Sequence, residues 1–118
     1  MAEVMEFPDV EEFSAVLGVE PSSFDQDGLT FWYSLESKGG RIRALVSFSA
    51  LMRSFQVNFS LEGEEVAMVC AEGVERIRLV EEGDETKLCV SYMEGACSSE
   101  ATLVVHPKLH LNWYVLTR

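Results

Sequence analysis

The first hydrophobic pattern in the chain has the period of a helix. Within FPDVEEFSAVLG the apolar residues recur every three or four positions, at Val10, Phe13, Val16 and Leu17. Asp9 is placed to cap the first turn, and Gly18 is placed to end the last one. The pattern predicts one short amphipathic helix at about residues 9–17, whose apolar face must pack on the rest of the protein.

From residue 29 onward the period changes to two, which is typical of strands with one buried face. In FQVNFSL, residues 55–61, each apolar side chain is followed by a polar one until the segment ends. Eight strands are predicted, at 29–36, 41–49, 54–61, 64–71, 74–80, 86–93, 100–106 and 109–116. The predicted fold class is therefore mainly β: one domain over residues 1–118, with the N-terminal helix packed on an antiparallel meander of about eight strands, as a barrel or a two-layer sandwich.

The dipeptide Glu-Gly recurs at residues 62–63, 72–73, 82–83 and 94–95, each time between two predicted strands. Gly adopts the positive φ of a tight hairpin, so the repeat is interpreted first as turns. Alternate turns of a meander lie at the same end, which should bring one set of carboxylates together: Glu62, Glu64, Glu65, Glu82, Asp84 and Glu85. Solvated turn tips are the plainer interpretation of this acidic edge, and a recognition surface is the other.

Charge narrows the classes of partner. Nine Lys and Arg against 20 Asp and Glu give a net charge of −11, with nine acids and no base in residues 1–36. Residues 37–58, which precede the acidic turns, reverse this pattern, because they hold four bases and no acid. This balance disfavours direct binding to nucleic acids or to anionic membranes. It favours a basic protein partner or, as the alternative, serves only solubility.

The N-terminus and the cysteines point to a cytoplasmic protein. The segment MAEVMEFPDV lacks the basic and apolar regions of a secretory signal, and no apolar run approaches the roughly 18 residues of a membrane-spanning helix. The three cysteines make an odd count without a CxxC pair, which favours a reducing compartment.

The candidate metal-binding and catalytic motifs match the known patterns poorly. Asp25-Gln-Asp27-Gly28 has the spacing of part of a calcium loop, but Ser34 stands where a bidentate Glu is needed, so an ordinary turn is favoured. His106 and His110 are four residues apart with Pro107 between them, which argues against a helical zinc pair. A Cys thiolate could join the two histidines as a third zinc ligand, and Cys97 with the same pair could form a Cys-His nucleophile, but two polar histidines at a strand end are the favoured interpretation. We therefore predict no catalytic residue, no metal and no cofactor.

Two groups of apolar side chains in the sequence must be shielded from solvent by another part of the protein or by a partner. Phe31-Trp32-Tyr33 puts rings on both faces of its strand, and the helix is the predicted cover. The turn Ala50–Arg53 is apolar where a hairpin tip should be polar, so it is predicted to fold over the end of the domain or, as the alternative, to be a contact loop with Met52 as its anchor.

The preferred functional hypothesis is a small acidic binding protein of the immunity-protein or inhibitor type, which occludes a basic partner such as a toxin or nuclease without catalysis. The six turn carboxylates would steer association and Met52 would anchor it. The alternative is a carrier of a small apolar ligand inside a β-barrel, lined by Phe48, Phe55, Phe59 and Tyr92. An unpaired edge strand also permits a homodimer.

Overall fold

The computed structural model describes residues 5–116, apart from the side chains at positions 94 and 114–116, and this part of the chain forms one helix and nine strands in two antiparallel sheets. The elements in chain order are α1 (Val10–Leu17), β1 (Ser23–Asp25), β2 (Thr30–Glu36), β3 (Ile42–Ser49), β4 (Ser54–Leu61), β5 (Glu64–Glu72), β6 (Val74–Glu82), β7 (Glu85–Glu94), β8 (Cys97–His106) and β9 (His110–Leu116). The predicted mainly-β class with an N-terminal helix is confirmed, in its two-sheet form.

Helix α1 begins and ends as its sequence predicts. The Asp9 carboxylate accepts a 2.8 Å hydrogen bond from the Glu12 backbone N–H, and Gly18, at φ +69°, donates its N–H to the Ser14 carbonyl at 2.9 Å. The buried face of the helix carries Phe13, whose ring stacks on Tyr33 of β2 with centroids 4.2 Å apart. The helix therefore covers the face of β2 that carries Tyr33, as predicted. Trp32 points to the opposite face of the strand and is partly buried there.

Strand β1 is not among the eight predicted strands, the first of which begins at residue 29, so it was missed in the sequence analysis. The strand pairs with β2 from Ser23 opposite Trp32 to Asp25 opposite Thr30. Three residues are too few for a period of two to be visible in the sequence. The predicted turn follows at once, since the Asp25 carboxylate accepts a 3.1 Å hydrogen bond from the Asp27 backbone N–H.

The two sheets follow each other along the chain. The first sheet has the order β1-β2-β3-β4-β5 and the second has the order β6-β7-β8-β9, so within each sheet every strand pairs with its neighbours in sequence. The chain passes from one sheet to the other at Gly73, which has φ +69°. The Gly73 carbonyl accepts a 3.1 Å hydrogen bond from the Met93 N–H, and the Val74 N–H donates to the Arg53 carbonyl at 2.9 Å. These contacts hold the crossing between the sheets.

One hydrophobic core fills the space between the sheets and under the helix. Its centre is an aromatic cluster around Phe48, whose ring lies 5.2 to 6.3 Å from four others, those of Phe7, Phe13, Phe31 and Tyr33. Three of the side chains predicted to line a carrier's cavity, Phe48, Phe55 and Tyr92, are buried in this core. The fourth, Phe59, is partly buried against it.

Burial of the Tyr33 phenol makes the stability of the protein pH-dependent in alkali. Burial raises the pKa of Tyr33 from 10.0 to about 12, with smaller contributions from the charges of Glu20 and Asp9. Between these two values the unfolded chain has lost the proton and the folded protein keeps it. The stabilisation is therefore complete below about pH 10 and is lost as the pH rises to about 12.

We expect this loss to disappear in Tyr33→Phe, which has no phenol to titrate. Urea unfolding of both proteins across the same pH range measures it, and the variant should gain stability relative to the wild type as the pH rises. A difference between the two proteins that stays constant with pH would contradict the assignment.

Candidate interaction surface

Four connections lie together at one end of the sandwich, which we call the hairpin end: residues 37–41, 62–63, 83–84 and 107–109. Two adjoining cavities show their arrangement. A cleft of about 590 Å³ reaches Leu61 on one side, and a smaller one of about 450 Å³ reaches Asp84 on the other. Both are lined by Ser37, Lys38 and Pro107, so these three residues lie between the two acidic turns.

The β4–β5 turn is a two-residue hairpin loop with positive φ at both positions, +50° at Glu62 and +87° at Gly63. Two of its carboxylates are held by partners within the protein. Glu62 accepts from the Arg41 guanidinium at 3.0 Å from Nε and 2.9 Å from Nη2. Glu65 accepts a hydrogen bond from the Asn58 side-chain amide on β4.

The β6–β7 turn places Glu82 directly opposite Glu85, where like charges would repel each other. Lys87 relieves this repulsion, because its Nζ lies 3.7 Å from Glu82 and 3.4 Å from Glu85. The charge of Glu82 is the main reason that the pKa of Lys87 is raised, with further contributions from Glu85. This turn is therefore a compact charge cluster with one internal cation.

Two of the six predicted carboxylates, Glu64 and Asp84, have no such internal partner. Both side chains are exposed, and neither carboxylate makes a hydrogen bond or an ion pair with another described residue. One lies in each acidic turn, on either side of the residues that the two cavities share. A partner protein meets these two charges without first breaking a contact inside the protein.

Basic and apolar residues between the acidic turns are the part of this surface that sequence reasoning missed. The larger cleft is lined by the basic side chains Lys38, Arg41, Lys108 and His110 and by the apolar side chains Ile42, Leu61, Pro107 and Leu109. The acidic groups therefore form two clusters separated by a basic cleft, and not the continuous acidic edge that was expected. The signal in the sequence was the acid-free stretch that holds Lys38 and Arg41.

Met52 lies at the other end of the molecule. The β3–β4 turn is separated from the hairpin end by the length of β3, about 25 Å for its eight residues. Leu51 and Met52 are 63% and 71% exposed, so the prediction that this turn folds over the domain end is wrong. The Ser49 hydroxyl holds the turn outward by accepting from the Met52 N–H at 3.0 Å and donating to the Gly28 carbonyl at 2.7 Å. Met52 thus does not share a surface with the six turn carboxylates.

The proposed combination of Cys97 with the histidines is also not formed. Cys97 begins β8 and His106 ends it, so about 30 Å of strand separates them. His106 and His110 are both exposed at the hairpin end, where they line the two different cavities. Within residues 5–116 no three His, Cys, Asp or Glu side chains lie close enough to hold a metal ion.

Strand β5 is an exposed edge of the first sheet, since it pairs only with β4. Its central run, VAMVCA at residues 66–71, carries no charge, and Val66 and Met68 are 61% and 55% exposed. An antiparallel ladder between two copies, centred on Met68, would place Glu64 opposite Glu72 of the other copy. Like charges at both ends of such a ladder oppose the homodimer, which stays a prediction.

Comparison with known proteins supports the fold and identifies no family. Neither the protein-family models nor the curated proteins contain a match to the chain. A solved structure does match: a chain of the "Contact-dependent growth inhibition toxin - immunity protein complex from Klebsiella pneumoniae 342". It superposes with a TM-score of 0.87 over 98% of this chain and 100% of that chain, at 16% sequence identity.

The described part of this chain contains no helix that is long and apolar enough to cross a membrane.

Proposed function

We propose that this protein is an immunity protein, which binds a toxin protein in the cytoplasm and blocks its active surface without catalysing a reaction. The observation that carries the proposal is the fold shared with a chain of a toxin–immunity protein complex, over nearly the whole length of both chains. The two folds superpose with a TM-score of 0.87.

Charge favours the immunity member of such a pair. With a net charge of −11 and exposed carboxylates on two neighbouring turns, the protein complements a basic surface. Toxins that act on nucleic acids need such a surface to hold phosphates, so a nuclease is the partner class that fits best. An acidic protein that covers this surface would exclude the substrate by position and by charge.

We assign contact with the toxin to the hairpin end and the steering role to the six carboxylates of its acidic turns. Steering by these charges would raise the rate of encounter, and the effect would weaken as salt screens the charges. Glu64 and Asp84 should contribute most, because the other four carboxylates are already held by Arg41, Asn58 or Lys87.

The first experiment identifies the partner and tests for protection. The tagged protein is used to capture proteins from lysate of the source cell at low salt, and each captured protein is then expressed in cells with and without this chain. A captured protein that arrests growth alone, and not together with this chain, supports the proposal. Captured proteins without any toxicity that the chain relieves would contradict it.

Charge reversal then tests the surface. We expect Glu64→Lys with Asp84→Lys to lower the association rate constant for the toxin about tenfold or more at low salt, and to flatten its salt dependence. Stopped-flow or biosensor kinetics at several salt concentrations measure both effects.

The matched control is Glu72→Lys with Glu75→Lys, which makes the same change in net charge. Both of these residues are exposed and flank Gly73, at the end opposite the acidic turns. Equal slowing by the two double variants would show that net charge acts alone and would remove the hairpin end from the proposal.

A further inference from the structure

We propose that the cleft at the hairpin end binds a small organic acid, that is, a carboxylate on an apolar body. The cleft lies between residues 37–42, Leu61 and residues 107–110, and its volume is about 590 Å³. Sites for small molecules in proteins usually measure about 300–1,000 Å³ and combine an apolar lining with a few placed polar groups. This site goes beyond the immunity function and does not depend on it.

The apolar lining comes from both sheets. Ile42 begins β3 and Leu61 ends β4 in the first sheet, whereas Pro107 and Leu109 belong to the β8–β9 connection of the second. Leu109 is 8% exposed and belongs to the core, so it forms the closed side of the cleft, while Leu61 is 42% exposed at its edge. A ligand body in this cleft would bury apolar surface on two sheets at once.

The charged lining has one sign. Lys38, Arg41 and Lys108 line the cleft, beside the imidazole of His110, and no Asp or Glu does. Lys38 and Lys108 are exposed and form no ion pair with any described residue, whereas Arg41 is held by Glu62. In a protein with 20 acids and nine bases, two lysines that remain without carboxylate partners beside an apolar cleft are suited to an anion from outside.

The net charge of −11 does not prevent this binding. At physiological ionic strength charges are screened over about 8 Å, so an anion inside the cleft responds mainly to the groups that line it and to Glu62, whose charge is balanced by Arg41. Of the carboxylates beside the smaller cavity, Glu36 is already paired with Arg43. Asp84 is the remaining one, and it lies on the far side of the residues that the two cavities share.

The charge pattern predicts a definite selectivity. The carboxylate should contact Lys38 and Lys108 at the mouth, with the apolar body over Leu109 and Ile42. A neutral head group on the same apolar body should bind more weakly, and a cationic one should not bind. Burial of the apolar body alone would not distinguish the three head groups, so the order of their binding affinities tests the role of the lysines.

The test is an NMR titration of the isotope-labelled full chain, at physiological salt, with octanoate, 1-octanol and octylammonium as probes. We expect octanoate to give saturable shifts of backbone amides confined to residues 37–42, 61 and 108–110, and octanol to bind about tenfold more weakly. Shifts spread over the surface, or equal binding of octanol, would overturn the proposal.

Variants separate the head group from the fold. Lys38→Gln with Lys108→Gln should weaken octanoate binding about tenfold, since each exposed ion pair contributes modestly. Arg76→Gln with Arg78→Gln removes the same charge from β6, outside the cleft, and should leave binding unchanged. Leu61→Glu, at an exposed lining position, should abolish it. Unchanged octanoate affinity in the lysine variant would refute the site.

This outcome is separate from that of the proposed immunity function. The titration needs no partner protein, so a failure of octanoate to bind leaves the toxin experiments untouched. A protein that binds octanoate as expected but protects against no toxin would retain the site and lose the immunity proposal.

Discussion

Phe48→Ala should lower the free energy of unfolding by about 4 kcal/mol, within the range of about 3–5 kcal/mol for truncating a buried aromatic residue. Phe48 is 2% exposed, and its ring contacts four others from three parts of the chain: the segment before α1, the helix itself and β2. A cavity at this position cannot close by moving one neighbour, because each neighbour also packs on another. The variant should therefore lose both the transfer free energy of the ring and the packing around it.

Denaturant unfolding with the linear extrapolation measures this loss. Phe24→Ala is the matched control, because Phe24 is 49% exposed and contacts only the Phe31 ring among the described aromatic residues. We expect the control to cost about 1 kcal/mol or less, as for substitutions near the surface. Similar losses in both variants would mean that the aromatic cluster is not the centre of the core.

Gly73→Ala should cost about 3 kcal/mol, although it adds a single methyl group. Gly73 has φ +69°, and a Cβ built there would lie 2.8 Å from the Met93 backbone carbonyl oxygen. The backbone conformation alone costs a non-Gly residue about 1–2 kcal/mol, and the overlap with a carbonyl of β7 adds to it. The Met93 carbonyl cannot retreat easily, because the Met93 N–H is hydrogen-bonded to the Gly73 carbonyl.

Gly83→Ala separates the two contributions. Gly83 has a similar φ of +64°, but no atom lies within 4 Å of the position of an added Cβ. It should therefore cost about 1–2 kcal/mol, the backbone contribution only. Urea unfolding of the two variants gives the difference, and equal losses would show that the close approach between the sheets at Gly73 contributes nothing.

Much of the fold was predictable because its local signals agree with each other. The period of two and the Glu-Gly turns place β4 at Ser54–Leu61, the predicted bounds, and the capping residues place α1 within one residue. Of the described strands, only β1 was not predicted, because a three-residue strand shows no period. It is stabilised by its pairing with β2. The sequence of such an edge strand gives little indication of its structure, because the strand forms by pairing with its neighbour.

The candidate site was less predictable, because it depends on how the two sheets stack. The turns that carry Glu62 and Asp84 were recognised from sequence, but their internal partners were not: Arg41 lies 21 residues before Glu62. The cleft requires Leu61 and Leu109 to meet across the sheets, which no spacing within a strand reveals. Likewise, the exposure of Met52 was anticipated as an alternative, whereas its position at the far end follows only from the direction of β3.

The order of the strands also affects how the protein folds. Because each sheet is built entirely from strands adjacent in sequence, every ladder can grow by closing a short loop, which costs little chain entropy. Sandwiches whose strands pair across long connections must close large loops first, and they fold slowly for that reason. Here the long-range steps are reduced to two: the docking of two meanders joined at Gly73, and the packing of the N-terminal segment, where Glu6 bridges to Arg76 and Phe13 stacks on Tyr33. The two halves of the chain are thus natural cooperative units, and the crossing between them is where folding becomes global.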